Sequence, residues 1–276
     1  MRPQRRGMRV SLRGGVSSAV EFTGLRRRHV AAFRLRTERA LLSRFARPAP
    51  EPRARILCYH GVGTPSWGVN DVSPVRFRQQ LELARSLGYR FVSLEEAVNH
   101  PRPGTLAITF DDGLRSVASN AAPILRELGV PYSIFAVADW LGGKHHFGDG
   151  ICMTWDDLRE LASAGASVGS HGVSHPDFGK LSEPQIVREL VDSAEAIAVR
   201  LGRRPDAFAI PFGGPTNWSE TAAAAAAQAG YRIVLAQCER LRPAGTVART
   251  FIASSDGEAA FRAALAGAFD EWAEWW

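Results

Sequence analysis

What the chain lacks narrows it first. No stretch of its 276 residues approaches the ~18 consecutive apolar residues of a membrane-crossing helix. No secretory hydrophobic core is evident either, because the short run from Val16 to Val20 is interrupted by serines. A cytoplasmic protein, or one peripheral to the inner face of a membrane, is therefore expected. Cysteine is scarce: Cys58, Cys152 and Cys238 are odd in number, widely spaced and form no CxxC pair. Reduced, partly buried thiols are expected rather than a disulfide framework. Acidic residues are nearly missing from one end. Residues 1–55 carry 15 arginines against Glu21, Glu38 and Glu51, whereas the rest holds 19 basic and 25 acidic residues. The net charge of +6 thus belongs to a leader, and the remainder of the chain is mildly acidic.

An arginine-rich leader can meet nucleic acid or anionic lipid. No aromatic or helical pattern recurs with the charges, so nucleic acid is not expected, and weak membrane-surface contact is the partner left. Residues 1–52 read as a poorly ordered leader, with a short basic helix in Val30–Phe45 and a Pro-Ala-Pro-Glu-Pro linker at 48–52. Residues 53–276 read as one catalytic domain, expected to be monomeric.

The remainder has ordinary globular composition, 45% hydrophobic and 22% charged over the whole chain. Strands are expected at Arg55–Tyr59, Phe91–Leu94, Thr105–Phe110, Tyr132–Val137, Ala166–Ser170, Ala207–Phe212, Tyr231–Gln237 and Thr246–Ile252. Between them the spacing predicts helices: Phe77–Leu87, Ser116–Leu128, Thr154–Ala164, Ser182–Leu201, Glu220–Ala229, and one from about Gly257. Ser182 with Gln185 forms a capping box. Such β–α alternation argues for an α/β fold with a parallel sheet or barrel.

Chemistry concentrates in two stretches. The strand in TLAITFDDG delivers Asp111 and Asp112 to a sheet edge, and Gly113 lets the backbone turn at once. Side chains alternate along a strand, so neighbouring aspartates suit two distinct jobs. The segment VGSHGVSHPDF then places His171 and His175 four residues apart at another strand end. Each stretch alone has a plainer reading, a turn in one case and unrelated surface histidines in the other. With Asp112 as third ligand, the set is two imidazoles and one carboxylate, with positions left open for water and substrate. That is a zinc-type hydrolytic site, which cobalt, nickel or iron would also accept.

TFDDG, then SHGVSHPDF about sixty residues later, then FAIPFGG, resembles the polysaccharide deacetylase family, the NodB-homology domain of carbohydrate esterase family 4, over roughly residues 54–254. The resemblance implies a single distorted (β/α) barrel of about seven strands. It implies that Asp111 is the general base and that Asp112, His171 and His175 hold a divalent metal, zinc first. The Phe212 N–H after Pro211 would bind the oxyanion, and Trp155 resembles a tryptophan that packs beside the site. Two departures stand out. The arginine that partners the base in the best-known members is Ala209 here, and no histidine follows His175 to act as the late general acid. His60, in ILCYHGV at the end of the first strand, is the acid candidate. His145 and His146 lie in a glycine-rich loop and are expected to be solvated.

The implied activity is metal-dependent removal of N-acetyl groups from an amino-sugar polysaccharide or lipid-linked glycan. Cleavage of O-acetyl esters or N-formyl groups is the alternative on the same site, and a non-catalytic glycan-binding relative is the alternative from another class. A phosphatase reading of FDDG fails because Gly113 stands where a second carboxylate is needed.

Overall fold

Alternation along the strands builds the architecture. The computed structural model describes residues 27–45, 54–237 and 241–270. Its strands are β1 (Arg55–Tyr59), β2 (Gly61–Val62), β3 (Asp71–Val72), β4 (Arg90–Phe91), β5 (Thr105–Phe110), β6 (Tyr132–Ala136), β7 (Ser167–Ser170), β8 (Ala207–Ala209), β9 (Ile233–Gln237) and β10 (Val247–Phe251). Seven of them, in the order β1-β5-β6-β7-β8-β9-β10, pair in parallel, and β10 returns to β1 to close a barrel. Strand β4 lengthens the sheet beside the start of β5, and β2 pairs separately with β3. The helices are α1 (Arg27–Phe45), α2 (Pro74–Ser86), α3 (Leu94–Asn99), α4 (Ala122–Glu127), α5 (Ala138–Leu141), α6 (Trp155–Ser163), α7 (Glu183–Leu201), α8 (Glu220–Gln228) and α9 (Glu258–Ala266).

In β5, Leu106, Ile108 and Phe110 pack into the larger core with the helices, while Ala107 joins a second cluster with Ile56, Phe135, Ala209 and Leu235. The period of two does the rest: β1 sends Leu57 and Tyr59 into the larger core and Ile56 into the second cluster in the same way. Continued past the strand ends, one parity carries Cys58, His60, Thr109 and Asp111 towards one another. Gly169 in β7 makes room for a large residue in this narrow interior, since a Cβ there would lie 2.3 Å from the Phe135 ring.

Several boundaries differ from the sequence reading, each for a local reason. The strand expected at Phe91–Leu94 is only Arg90–Phe91, because the Ser93 hydroxyl accepts from the Glu96 N–H at 3.1 Å and starts α3. The helix expected at Ser116–Leu128 opens with a π-type turn at Val117–Ala121 before α4, where Pro123 has no N–H to donate. The strand expected to reach Phe212 ends at Ala209, ahead of Pro211 and a left-handed Phe212. The Ser182–Gln185 capping box is present. Cys58 and Cys152 are buried, and Cys238 lies outside the described residues.

Within the leader, α1 packs on the barrel. Leu35 joins Phe251 and Ala253. Arg39 is buried and forms an ion pair with Asp256, donates to the Phe251 carbonyl at 3.0 Å, and lies over the Phe269 ring. The leader's residues 1–26 and 46–52 are outside the described set. Among the described residues, no helix is long and apolar enough to cross a membrane.

Candidate active site and metal centre

Each member of the site sits just beyond a strand end. Asp111 and Asp112 follow β5, His60 follows β1, His171 and His175 follow β7, and Phe212 follows β8. Asp112, His175 and Phe212 are the three non-glycine residues with a left-handed backbone among the described residues, at φ 71°, 61° and 64°. Each such conformation costs about 1–3 kcal/mol and persists only where its surroundings impose it. That all three fall at one place marks it as functional.

One ligand atom each from Asp112, His171 and His175 lies within 4.8 Å of the others. Asp112 Oδ1 is 3.6 Å from His171 Nε2 and 3.7 Å from His175 Nε2. These edges are close to the ~3.4 Å of a tetrahedron with ~2.1 Å metal–ligand bonds. The donors are also in the right chemical state. His171 Nδ1 lies 2.7 Å from the Ala209 carbonyl, which can only accept, so Nδ1 is the donor and Nε2 is the nitrogen turned to the cation position. Burial, with His171 nearby, pushes the His175 imidazole down to about 4, so it is neutral near pH 7. The Trp67 Nε1–H donates to Asp112 Oδ2 at 2.9 Å, turning Oδ1 towards the imidazoles. Glu189 of α7 braces the loop between the histidines, accepting from the N–H groups of Val173 and Ser174 at 2.6 and 3.1 Å. These residues fit a divalent cation. Cys152 is not a member of this close group, and burial with Asp112 raises its thiol to about 11.

Asp111 faces a different partner. Arg249 of β10 grips both its oxygens, Nη1 to Oδ1 at 2.6 Å and Nη2 to Oδ2 at 2.7 Å. Burial would raise the Asp111 carboxyl, but Arg249, aided by His171, holds it well below the usual carboxylate range. Cys58, His60 and Asp111 form a second close group, with Cys58 Sγ 3.4 Å from Asp111 Oδ2. A cation there would have to compete with the guanidinium already on both carboxylate oxygens. His60 is buried against the edge of the Phe251 ring, its Nδ1 has no hydrogen-bond partner among the described residues, and burial lowers its pKa.

Arg249 is the residue the sequence reading missed. Ala209 removes the arginine expected before Pro211, and β10 supplies a guanidinium from another strand. A signal was available: Arg249 is the one charge in VARTF, a run otherwise suited to a buried strand. Trp155 is a correction of another kind. Its ring lies under the Arg200 guanidinium, and the tryptophans that touch the candidate metal ligands are Trp67 and Trp140, the latter stacked 5.3 Å from His175. Phe147 packs between these two, at 4.7 Å from Trp67 and 4.8 Å from Trp140. His145 and His146 lean on Phe147 in that loop rather than on the carboxylates. Phe212 is 43% exposed, its ring edges His175 at 4.7 Å, and its N–H has no acceptor among the described residues.

The architecture is that of a NodB-like (β/α) barrel, with two histidines and a carboxylate converging at its strand ends beside a second, arginine-paired aspartate. Residues 99–234 match the model of the polysaccharide deacetylase family. The chain is 26% identical over 193 residues to YxkH of Bacillus subtilis, which carries the polysaccharide deacetylase name, covering 68% of this chain and 64% of that protein. It is 24% identical over 156 residues to a Staphylococcus aureus poly-β-1,6-N-acetyl-D-glucosamine N-deacetylase, covering 51% of this chain and 53% of the other. The match thus spans between half and two thirds of these relatives' length. Among solved structures, IcaB from Ammonifex degensii has a TM-score of 0.64 at 24% identity, over 80% of this chain and 98% of that one. The Streptococcus pyogenes deacetylase PplD gives 0.62 at 24%, over 74% and 94%. These likenesses show the barrel.

Proposed function

We propose that the protein is a metal-dependent hydrolase that removes N-acetyl groups from an amino-sugar glycan. The observation that carries the reading is the convergence of Asp112, His171 and His175 beside an aspartate that Arg249 keeps ionised. The Staphylococcus aureus relative, named for the same reaction on a poly-N-acetylglucosamine, supports the choice of bond.

A divalent cation held by Asp112, His171 and His175, zinc first, would polarise the acyl carbonyl and acidify a water. The chain's own groups supply the rest. Asp111, ionised and aimed by Arg249, accepts the proton of the attacking water. The Phe212 N–H donates to the carbonyl oxygen as charge develops there. His60 protonates the departing nitrogen, which cannot leave as an anion. Burial keeps its imidazole neutral between turnovers, so the proton it delivers is one collected from Asp111 in the same cluster. Trp67, Trp140 and Phe147 form an aromatic wall beside the ligands, suited to the apolar face of a sugar ring.

The test is acetate release from a panel of N-acetylated, O-acetylated and N-formylated saccharides, with and without chelator. Chelator-sensitive acetate release from the N-acetylated members alone is expected. Release only from esters or only of formate would reassign the bond, and release from none would leave a glycan-binding relative.

A further inference from the structure

The side of α1 turned away from the barrel carries apolar residues that the fold leaves in water. Phe33 and Leu41 are 72% and 53% exposed. They lie on one helical face with Arg36, Ala40 and Arg44, all exposed. The opposite stripe is the one that packs: Leu35, Arg39 and Leu42 meet the barrel. Two large apolar tips between arginines match an interface with lipid acyl chains below and anionic headgroups around it. A nucleic acid would use the arginines and give Leu41 nothing to bury against. The 26 residues before α1 add six arginines against one glutamate, which strengthens the same charge complementarity.

We propose that α1 docks the protein on an anionic lipid surface, so that the site acts on acetylated glycan presented there. The second half rests on the hydrolase reading, and the placement of α1 supports it. Leu35 shares a buried cluster with Phe251, whose ring abuts His60, and Val69, two residues from the Trp67 that holds Asp112, packs against that cluster. The docking helix is therefore one layer of side chains from the reacting groups.

The full chain would be sedimented with vesicles of phosphatidylcholine alone and with about 30% phosphatidylglycerol. Binding to the anionic vesicles only is expected, weakening as salt rises. Phe33→Ser with Leu41→Ser should weaken it roughly tenfold or more, and Arg36→Glu with Arg44→Glu by a similar factor. Circular dichroism would verify that both double variants fold. Absence of binding, or a Phe33/Leu41 variant that binds as tightly as the native chain, overturns the proposal. So does a dimer in sedimentation velocity that this variant dissociates, or capture of a short RNA with vesicles ignored. Turnover of a short soluble acetylated saccharide should be unchanged in both variants. Vesicle binding without turnover of any glycan would sink the hydrolase reading alone; turnover without vesicle binding would sink the docking alone.

Discussion

Arg249 and Asp111, 138 positions apart in the chain, meet as a bidentate ion pair closed off from solvent inside the barrel mouth. Neither residue is stable there by itself. Removing one partner of a buried pair costs about 3–5 kcal/mol, because the other charge is stranded. Arg249→Lys keeps the charge but loses the planar fork. We expect kcat to fall by roughly two orders of magnitude, with metal content near one equivalent and KM little changed. Native kcat in a folded Lys variant would show that the pair is structural only.

The two adjacent aspartates should separate cleanly. Asp111→Asn should abolish turnover while metal stays near one equivalent, whereas Asp112→Ala, His171→Ala and His175→Ala should each lose the metal. Trp67→Phe removes only the N–H that orients Asp112 and should weaken metal affinity about 10–100-fold. Metal analysis after dialysis checks all five, and loss of metal from Asp111→Asn would mean the two roles are exchanged.

His60→Ala should lower kcat with metal retained, because the imidazole lies in the Asp111 group and not among the cation's ligands. The loss should shrink for a substrate with a better leaving group, which needs less protonation. Unchanged kcat eliminates His60 as the acid.

The start of α6 makes a pH-dependent contribution to stability. Asp157 accepts from the Thr154 N–H at 2.8 Å, and the Thr154 hydroxyl accepts from the Asp157 N–H at 3.1 Å. Burial would raise the Asp157 carboxyl, but the Thr154 bonds and the nearby Arg115 bring it below its ordinary value. A carboxyl lowered on folding stabilises above the unfolded pKa of ~3.9, and the effect is lost as pH falls through the folded value. Asp157→Ala should therefore destabilise by about 1 kcal/mol near neutrality. The gap to the native chain in thermal unfolding should narrow below about pH 4; an undiminished gap in stronger acid would show that the charge contributes nothing.

Much of this site was legible from local pattern. TFDDG is a buried strand ending in a turn, and its alternation alone separates the directions of Asp111 and Asp112. The HxxxH spacing after β7 likewise marked His171 and His175. The α1 packing was hidden for the opposite reason: its buried stripe includes Arg39 while Phe33 and Leu41 stay exposed, so no apolar period betrays which side faces in.

Local spacing and turn chemistry, which act over a few residues, were enough to name the eight strands of the main sheet, their order along the chain and the metal-ligand candidates, though not the short β2–β3 pair. Only the closed barrel decided that Arg249 replaces the guanidinium missing at Ala209, that Trp67 rather than Trp155 serves the ligands, and that α1 borders the mouth. These are contacts between strand ends and segments far apart in sequence. They exist because β10 pairs back onto β1, a closure that no local pattern encodes.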